Sequence, residues 1–167
     1  MKALTDSLRD LSGRADLPLL IDQEGGRVAR MVPPEWPAFP AGATFDALYD
    51  VAPISAIEAA RANAQALALM LAEVGVNVNC APLLDVRQAD VTPAIGDRSF
   101  GGDPMRVAAL GQAMLEGMRR GGVVGVVKHM AAHWSTAITI CRASRPMPRR
   151  WRRIWSRSSG WPMRRWG

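Results

Sequence analysis

A parallel α/β fold is what this 167-residue sequence predicts, and three observations carry the prediction. Short strand-like runs, "LPLLI", "VNVNC" and "VVGVV", punctuate the chain. Segments with helical apolar spacing separate them. A cluster of charged residues follows each run. Strand–loop–helix repeated in this order implies right-handed βαβ units and therefore a parallel sheet. A hydrophobic fraction of 49% supplies enough apolar side chains for a core.

Residues 3–12 form a short amphipathic helix, with Leu4, Leu8 and Leu11 on one face. "LPLLI" then reads as an apolar strand of the kind buried on both faces of a parallel sheet. Residues 32–53 contain Pro33, Pro34, Pro37, Pro40 and Pro53 and read as a long loop. Residues 54–74 give the strongest helix: Ile54, Ile57, Ala60, Ala64, Leu67, Leu71 and Val74 recur every three or four positions, and Gly75 suits the site just past its end. "VNVNCAPL" is the next strand, and a second long loop runs to residue 102. Asp103 and Pro104 make an N-cap followed by proline at the first helical position. Val107, Leu110, Met114 and Met118 supply that helix's apolar face, Gly121 and Gly122 end it, and "VVGVVKH" is the third strand, again a buried one. An open doubly wound sheet and a (β/α)8 barrel both fit this spacing; the long loops after the strands favour the barrel.

Charge divides the chain into two regions, 1–130 and 131–167. The first holds 12 Lys and Arg against 15 Asp and Glu, a balance of −3. The second holds nine Arg, no acid and five of the six Trp. No apolar run is long enough for a membrane span. The segment "MKALTDSLRD" lacks the apolar heart of a signal peptide, and Cys80 and Cys141 suggest no disulfide framework, so a cytoplasmic location is expected.

Three charged clusters sit just past the strands, which places them on one rim of a parallel sheet. They are Asp22, Glu24, Arg27 and Arg30; Asp85, Asp97 and Arg98; and Lys128 with His129. Carboxylates and strong donors gathered in this way suit a ligand rich in hydroxyls. Two plainer readings stand beside that one. Asp22 and Glu24 can pair with Arg27 and Arg30 as a solvated loop, and Asp97 with Arg98 can be a local ion pair. Gly25 and Gly26 suit a tight turn. The sequence has no phosphate-cradling glycine loop, no metal-ligand spacing and no serine or cysteine nucleophile motif, so neither metal nor cofactor is expected.

The ordered set "IDQEGGRVARM", "NCAPLLDV", "IGDRSFGGDP" and "GVVGVVKHM" resembles the N-terminal domain of glycoside hydrolase family 3 over roughly residues 4–130. Within that family it is similar to the bacterial β-N-acetylhexosaminidases that recycle cell-wall fragments in the cytoplasm. The resemblance implies a (β/α)8 barrel, here a partial one. It implies retaining hydrolysis of terminal β-N-acetylglucosamine, with a carboxylate nucleophile and a histidine acid/base. It implies that Asp22, Arg30, Arg98, Lys128 and His129 hold the sugar, with Glu24, Arg27 and Asp97 orienting them from behind. The partners implied are cell-wall fragments containing N-acetylglucosamine.

After "VVKHM" the family pattern stops. His133 stands where a turn histidine belongs and is the one candidate for a catalytic group, yet its expected Pro and Gly neighbours are missing. Residues 131–167 contain no Asp or Glu to serve as nucleophile. A change of reading frame near residue 131 accounts for both the composition and the loss. "AITIC" can be encoded GCG-ATA-ACC-ATC-TGC, which from its third base reads Asp-Asn-His-Leu, close to the family's catalytic loop. The expectations are therefore a partial barrel over 1–130 followed by a poorly ordered Arg/Trp-rich tail, and a catalytically silent chain. A first barrel strand is expected before residue 3. The rival reading is a non-catalytic fragment whose "RRWRRIW" segment binds polyanions without sequence preference. A β-glucosidase of the same family is the other alternative.

Overall fold

Strand and helix alternate as the apolar pattern dictates, and the strands advance across the sheet one at a time. The computed structural model describes residues 1–87 and 94–129. Its elements are α1 (Lys2–Ser12), β1 (Leu20–Ile21), α2 (Gly42–Val51), α3 (Pro53–Glu73), β2 (Val78–Asn79), a single 3-10 turn (Gly96–Arg98), α4 (Pro104–Arg120) and β3 (Val124–Gly125). The sheet order is β1-β2-β3, all parallel, with Leu20 opposite Val78 and Val78 opposite Val124. The tail, including His133, lies outside the described residues.

The core lies on the helix side of the sheet. Ala56, Ala60, Ala64, Leu67 and Leu71 of α3 pack with Val107, Leu110, Met114 and Met118 of α4, all buried. Small residues let these helices approach closely: a Cβ at Gly117 would run into the Arg61 carbonyl and the Ala64 side chain. The opposite face is open. Leu20, Val124 and Val126 are 60%, 49% and 41% exposed, so the expectation of strands buried on both faces fails for β1 and β3. Both are edge strands among the described residues, with no layer across from them. Parallel strands in the sequential order β1-β2-β3, with no reversal among the described residues, suit a barrel wall.

Two other expectations need correction. The loop read into 32–53 contains α2, whose Phe45 and Asp46 are buried. The surrounding prolines obscured a proline-free stretch in which Phe45, Leu48 and Tyr49 already have helical spacing. Helix α1 forms as expected, but Leu4, Leu8 and Leu11 are exposed. It docks by its polar side: the Thr5 hydroxyl donates to the Val74 carbonyl at 2.7 Å, and Arg9 donates to the Gly75 carbonyl at 2.5 Å. The start of α4 and the end of α3 read from sequence hold. Asp103 caps α4 by accepting from the Met105 N–H at 2.8 Å, and Gly75 has φ 82° just beyond α3.

Candidate functional site

The three strands end together, so the residues that follow them meet. Asparagine side chains reinforce the short ladder between β1 and β2. Asn77 accepts from the Leu19 N–H at 2.7 Å and donates to the Leu17 carbonyl at 3.0 Å. Asn79, fully buried, accepts from the Gln23 N–H at 3.0 Å and donates to the Gln23 carbonyl at 2.7 Å. The buried Gln23 side chain in turn donates to the Met31 carbonyl and accepts from the Arg30 and Met31 N–H groups. These amides hold both ends of the 22–31 segment, so Asp22 and Glu24 are set on a fixed backbone. Between them and Arg30, Gly25 and Gly26 turn the chain with φ 99° and 57°. A Cβ on Gly25 would strike the Pro40 carbonyl, so the turn reading of these glycines holds.

On that rim Glu24 is the centre. Its side chain is 8% exposed; Arg98 grips both its oxygens at 2.8 and 2.9 Å, and Lys128 Nζ lies 2.5 Å away. Lys128 also donates to Asp22 at 2.8 Å, and the Asp22 side chain stays 45% exposed. Glu24 and Asp22 are held by partners 74 and 106 residues away in sequence, Arg98 in the loop after β2 and Lys128 just past β3, and not by the neighbouring pairs of the plainer readings. Arg27 pairs instead with Asp97 at 2.7 Å and donates to the Ala94 and Ile95 carbonyls, which ties the second long loop to the first. Arg98 donates to Ala94 as well. A shallow depression lies beside the Glu24–Arg98 pair, bounded by Gly25, Phe45, Pro82 and Phe100.

Electrostatics follow from this geometry. The hydrogen bond from Lys128 holds Asp22 below the usual carboxylate range, and the nearby charges of Arg30 and Arg98 act the same way. Burial works to raise Glu24, but the bonds from Arg98 and Lys128 outweigh it and its pKa is lowered. Burial likewise disfavours the Lys128 ammonium, and its two carboxylate partners more than compensate, so its pKa is raised. Arg98 is raised by its bond to Glu24. Every group is therefore charged at neutral pH, a fixed lattice of donors and acceptors.

His129 completes the rim. The strand-like pairing of Leu83 with Lys128 draws Asp85 beside it, and Nδ1 of His129 lies 2.7 Å from Asp85 Oδ2. Asp22, Arg98, Lys128 and His129 are thus brought together, with Arg30 near enough for its charge to act on Asp22. Sequence reasoning missed Gln23 and Asn79, and it did not assign Asp85 to His129. Asparagine at alternate positions of "VNVNC" was the available signal for the first two.

A family description, Glycosyl hydrolase family 3 N terminal domain, matches residues 2–150. The chain belongs to glycosyl hydrolase family 3. A beta-hexosaminidase of Bordetella avium is 35% identical over 132 residues, covering 78% of this chain and 37% of its own length. One from Xylella fastidiosa is 38% identical over 132 residues, covering 79% and 38%. Among solved structures, NagZ from Neisseria gonorrhoeae in complex with N-trifluoroacetyl-D-glucosamine superposes with a TM-score of 0.73 at 31% identity, covering 79% of this chain and 38% of that one. The family 3 chain described here spans less than two-fifths of the length of each of these relatives, and its sheet is part of their (β/α)8 barrel. No helix among the described residues is long and apolar enough to cross a membrane.

Proposed function

We propose that residues 1–130 carry the sugar-gripping part of a retaining β-N-acetylglucosaminidase site, in a chain that does not itself turn over substrate. One observation carries the reading: Asp22, Lys128, Glu24 and Arg98 form a continuous charged lattice at the C-terminal ends of three parallel strands, with His129 beside it. Such a lattice offers fixed acceptors and donors to vicinal hydroxyls, and its outer members, Asp22 and His129, are open to solvent. The relatives' names, beta-hexosaminidase, and the N-trifluoroacetyl-D-glucosamine bound by the Neisseria protein support N-acetylglucosamine as the sugar. Cell-wall fragments, met in the cytoplasm during peptidoglycan recycling, are the substrates this reading favours.

Silence of the chain follows from what retaining hydrolysis demands. A carboxylate must reach the anomeric carbon while a second group protonates the leaving oxygen. Glu24, Asp85 and Asp97 are each engaged by a cation or by His129, and Asp22 by Lys128. They bind or brace. We place the loss at a frame change near residue 131, which sequencing the gene in all three frames tests directly. Purified chain offered an aryl β-N-acetylglucosaminide is expected to release no aryl alcohol, while N-acetylglucosamine shifts the amide resonances of Asp22 and Lys128 more than glucose does. Turnover like that of a full-length relative would overturn the silence, and a preference for glucose would move the assignment to the β-glucosidase branch.

A further inference from the structure

We propose that Asp85 is a positioning residue that sets the polarity of the rim: it holds His129 as the Nδ1–H tautomer and leaves Nε2 as a hydrogen-bond acceptor for a ligand hydroxyl. The second half of this inference rests on the sugar reading above; the first does not.

Asp85 is well placed to impose a tautomer. Its backbone is fixed on two sides: the buried Ser99 hydroxyl donates to the Asp85 carbonyl at 2.7 Å, and the next residue but one, Arg87, donates its N–H to the Gly101 carbonyl at 2.8 Å. On the other strand, the Leu84 N–H donates to the Lys128 carbonyl at 2.6 Å and the Lys128 N–H to the Pro82 carbonyl at 3.1 Å. These bonds set the 82–85 segment against 126–129 at a fixed register. The Asp85 side chain is 10% exposed and that of His129 is 49% exposed, so one ring edge is held and the other is open. An ionised carboxylate can only accept, which makes Nδ1 the donor across the 2.7 Å contact. In a neutral ring Nε2 then carries the lone pair, since the bond made by one nitrogen decides the state of the other.

The consequence is a division of labour. Lys128, Arg98 and Arg30 present only N–H groups, and Asp22 presents only acceptor oxygens. An Nε2 acceptor on His129 adds a neutral acceptor to a rim otherwise made of cations and carboxylates. A ligand hydroxyl can donate to that nitrogen, and a ligand with an ether oxygen at that place cannot.

The test is a long-range ¹H–¹⁵N spectrum of the full chain carrying His133→Gln, which leaves His129 as the one imidazole. It is recorded at about pH 8.5, above the ordinary imidazole value. The expected pattern is a protonated Nδ1 and an unprotonated Nε2, relaxing toward a mixture of tautomers in Asp85→Ala. A proton on Nε2 in the parent spectrum, as the other tautomer or as imidazolium, overturns the inference even if the variant fails to fold. So does a folded Asp85→Ala variant with an unchanged pattern. Titration with N-acetylglucosamine is expected to move the Nε2 resonance, and Asp85→Ala to weaken binding about tenfold, the factor one ordinary hydrogen bond carries. Sugar that shifts the Asp22 and Lys128 amides without moving Nε2 overturns the acceptor role. Sugar that shifts no resonance refutes the sugar reading while the tautomer result still decides what Asp85 does.

Discussion

Two places in this molecule use the same device, a buried carboxylate gripped by two cations, to opposite ends. At the rim Glu24 is held by Arg98 and Lys128. Behind it, Asp46 of α2 is held by Arg87 at 2.9 Å and by Arg106 of α4 at 2.5 Å. Arg106 also reaches Asp50 and lies 4.9 Å from the centre of the Tyr49 ring, so the second cluster ties α2 to α4, and its outer members, Arg87 and Asp50, are 46% and 64% exposed. The Glu24 cluster joins strand ends instead of helices. Its outer members, Asp22 and His129, are about half exposed at the strand ends. Composition alone makes the two indistinguishable. Exposure of the outer groups does not separate them either; what does is that one set braces two helices and the other gathers where three parallel strands end.

The largest effect is expected from Glu24→Ala. It strands Arg98 and Lys128, whose side chains are 15% and 16% exposed, without a buried partner. Breaking such a pair costs about 3 kcal/mol. Urea denaturation is expected to show that loss together with the disappearance of sugar-induced amide shifts. Unchanged stability would mean that water replaces the carboxylate freely and that the rim is softer than the geometry implies.

Acid is the next lever, and it acts on the rim from one side. Asp22 and Glu24 have lowered pKa values, so their contribution is complete above the ordinary carboxylate range near about 4 and is lost as pH falls through the lowered values. Lys128 has a raised pKa, so its contribution is complete below about 10.4 and is lost as pH rises through its raised value. These three groups therefore predict a plateau between those limits and a decline on both sides. Thermal midpoints measured across that range check it, and a maximum displaced below pH 4 would contradict the assigned directions.

Asp46→Ala sharpens the comparison. Arg106 keeps Asp50, and Arg87 is already half exposed, so a smaller loss of stability is expected than for Glu24→Ala. Sugar-induced shifts at Asp22 and Lys128 should persist in the folded fraction. If they vanish while the chain stays folded, the Asp46 cluster is coupled to the rim and the separation drawn above is wrong. Asp22→Asn should cost the least stability, under about 1 kcal/mol for a pair this exposed, yet weaken sugar binding clearly. A stability change with no binding change would make Asp22 a brace.

Much of this was readable before any coordinates. The caps at Asp103 and Gly75, the helical spacing of α3 and α4, and the charged residues past each strand are local properties, written within a few residues. Four ordered motifs sufficed to point to family 3. Less legible were features that depend on what lies across from a residue. The apolar stripe of α1 is correct as a period, but the helix docks through Thr5 and Arg9. The prolines flanking α2 masked a helix because breaker signals are counted in a window and not residue by residue.

By itself, then, the sequence determined the alternation of strand and helix, the limits of most helices, and which residue types stand at the strand ends. Periodicity and capping act over one to three turns, so one chain segment contains all the information needed. Only the tertiary structure decided that Glu24, and not Asp22, is the buried centre of the lattice, that Asp85 faces His129, and that Leu20, Val124 and Val126 lie open. Those outcomes depend on the register of β1, β2 and β3 and on which face of the sheet the helices cover. Register sums many weak contacts between segments tens of residues apart, and no single stretch of sequence encodes that sum.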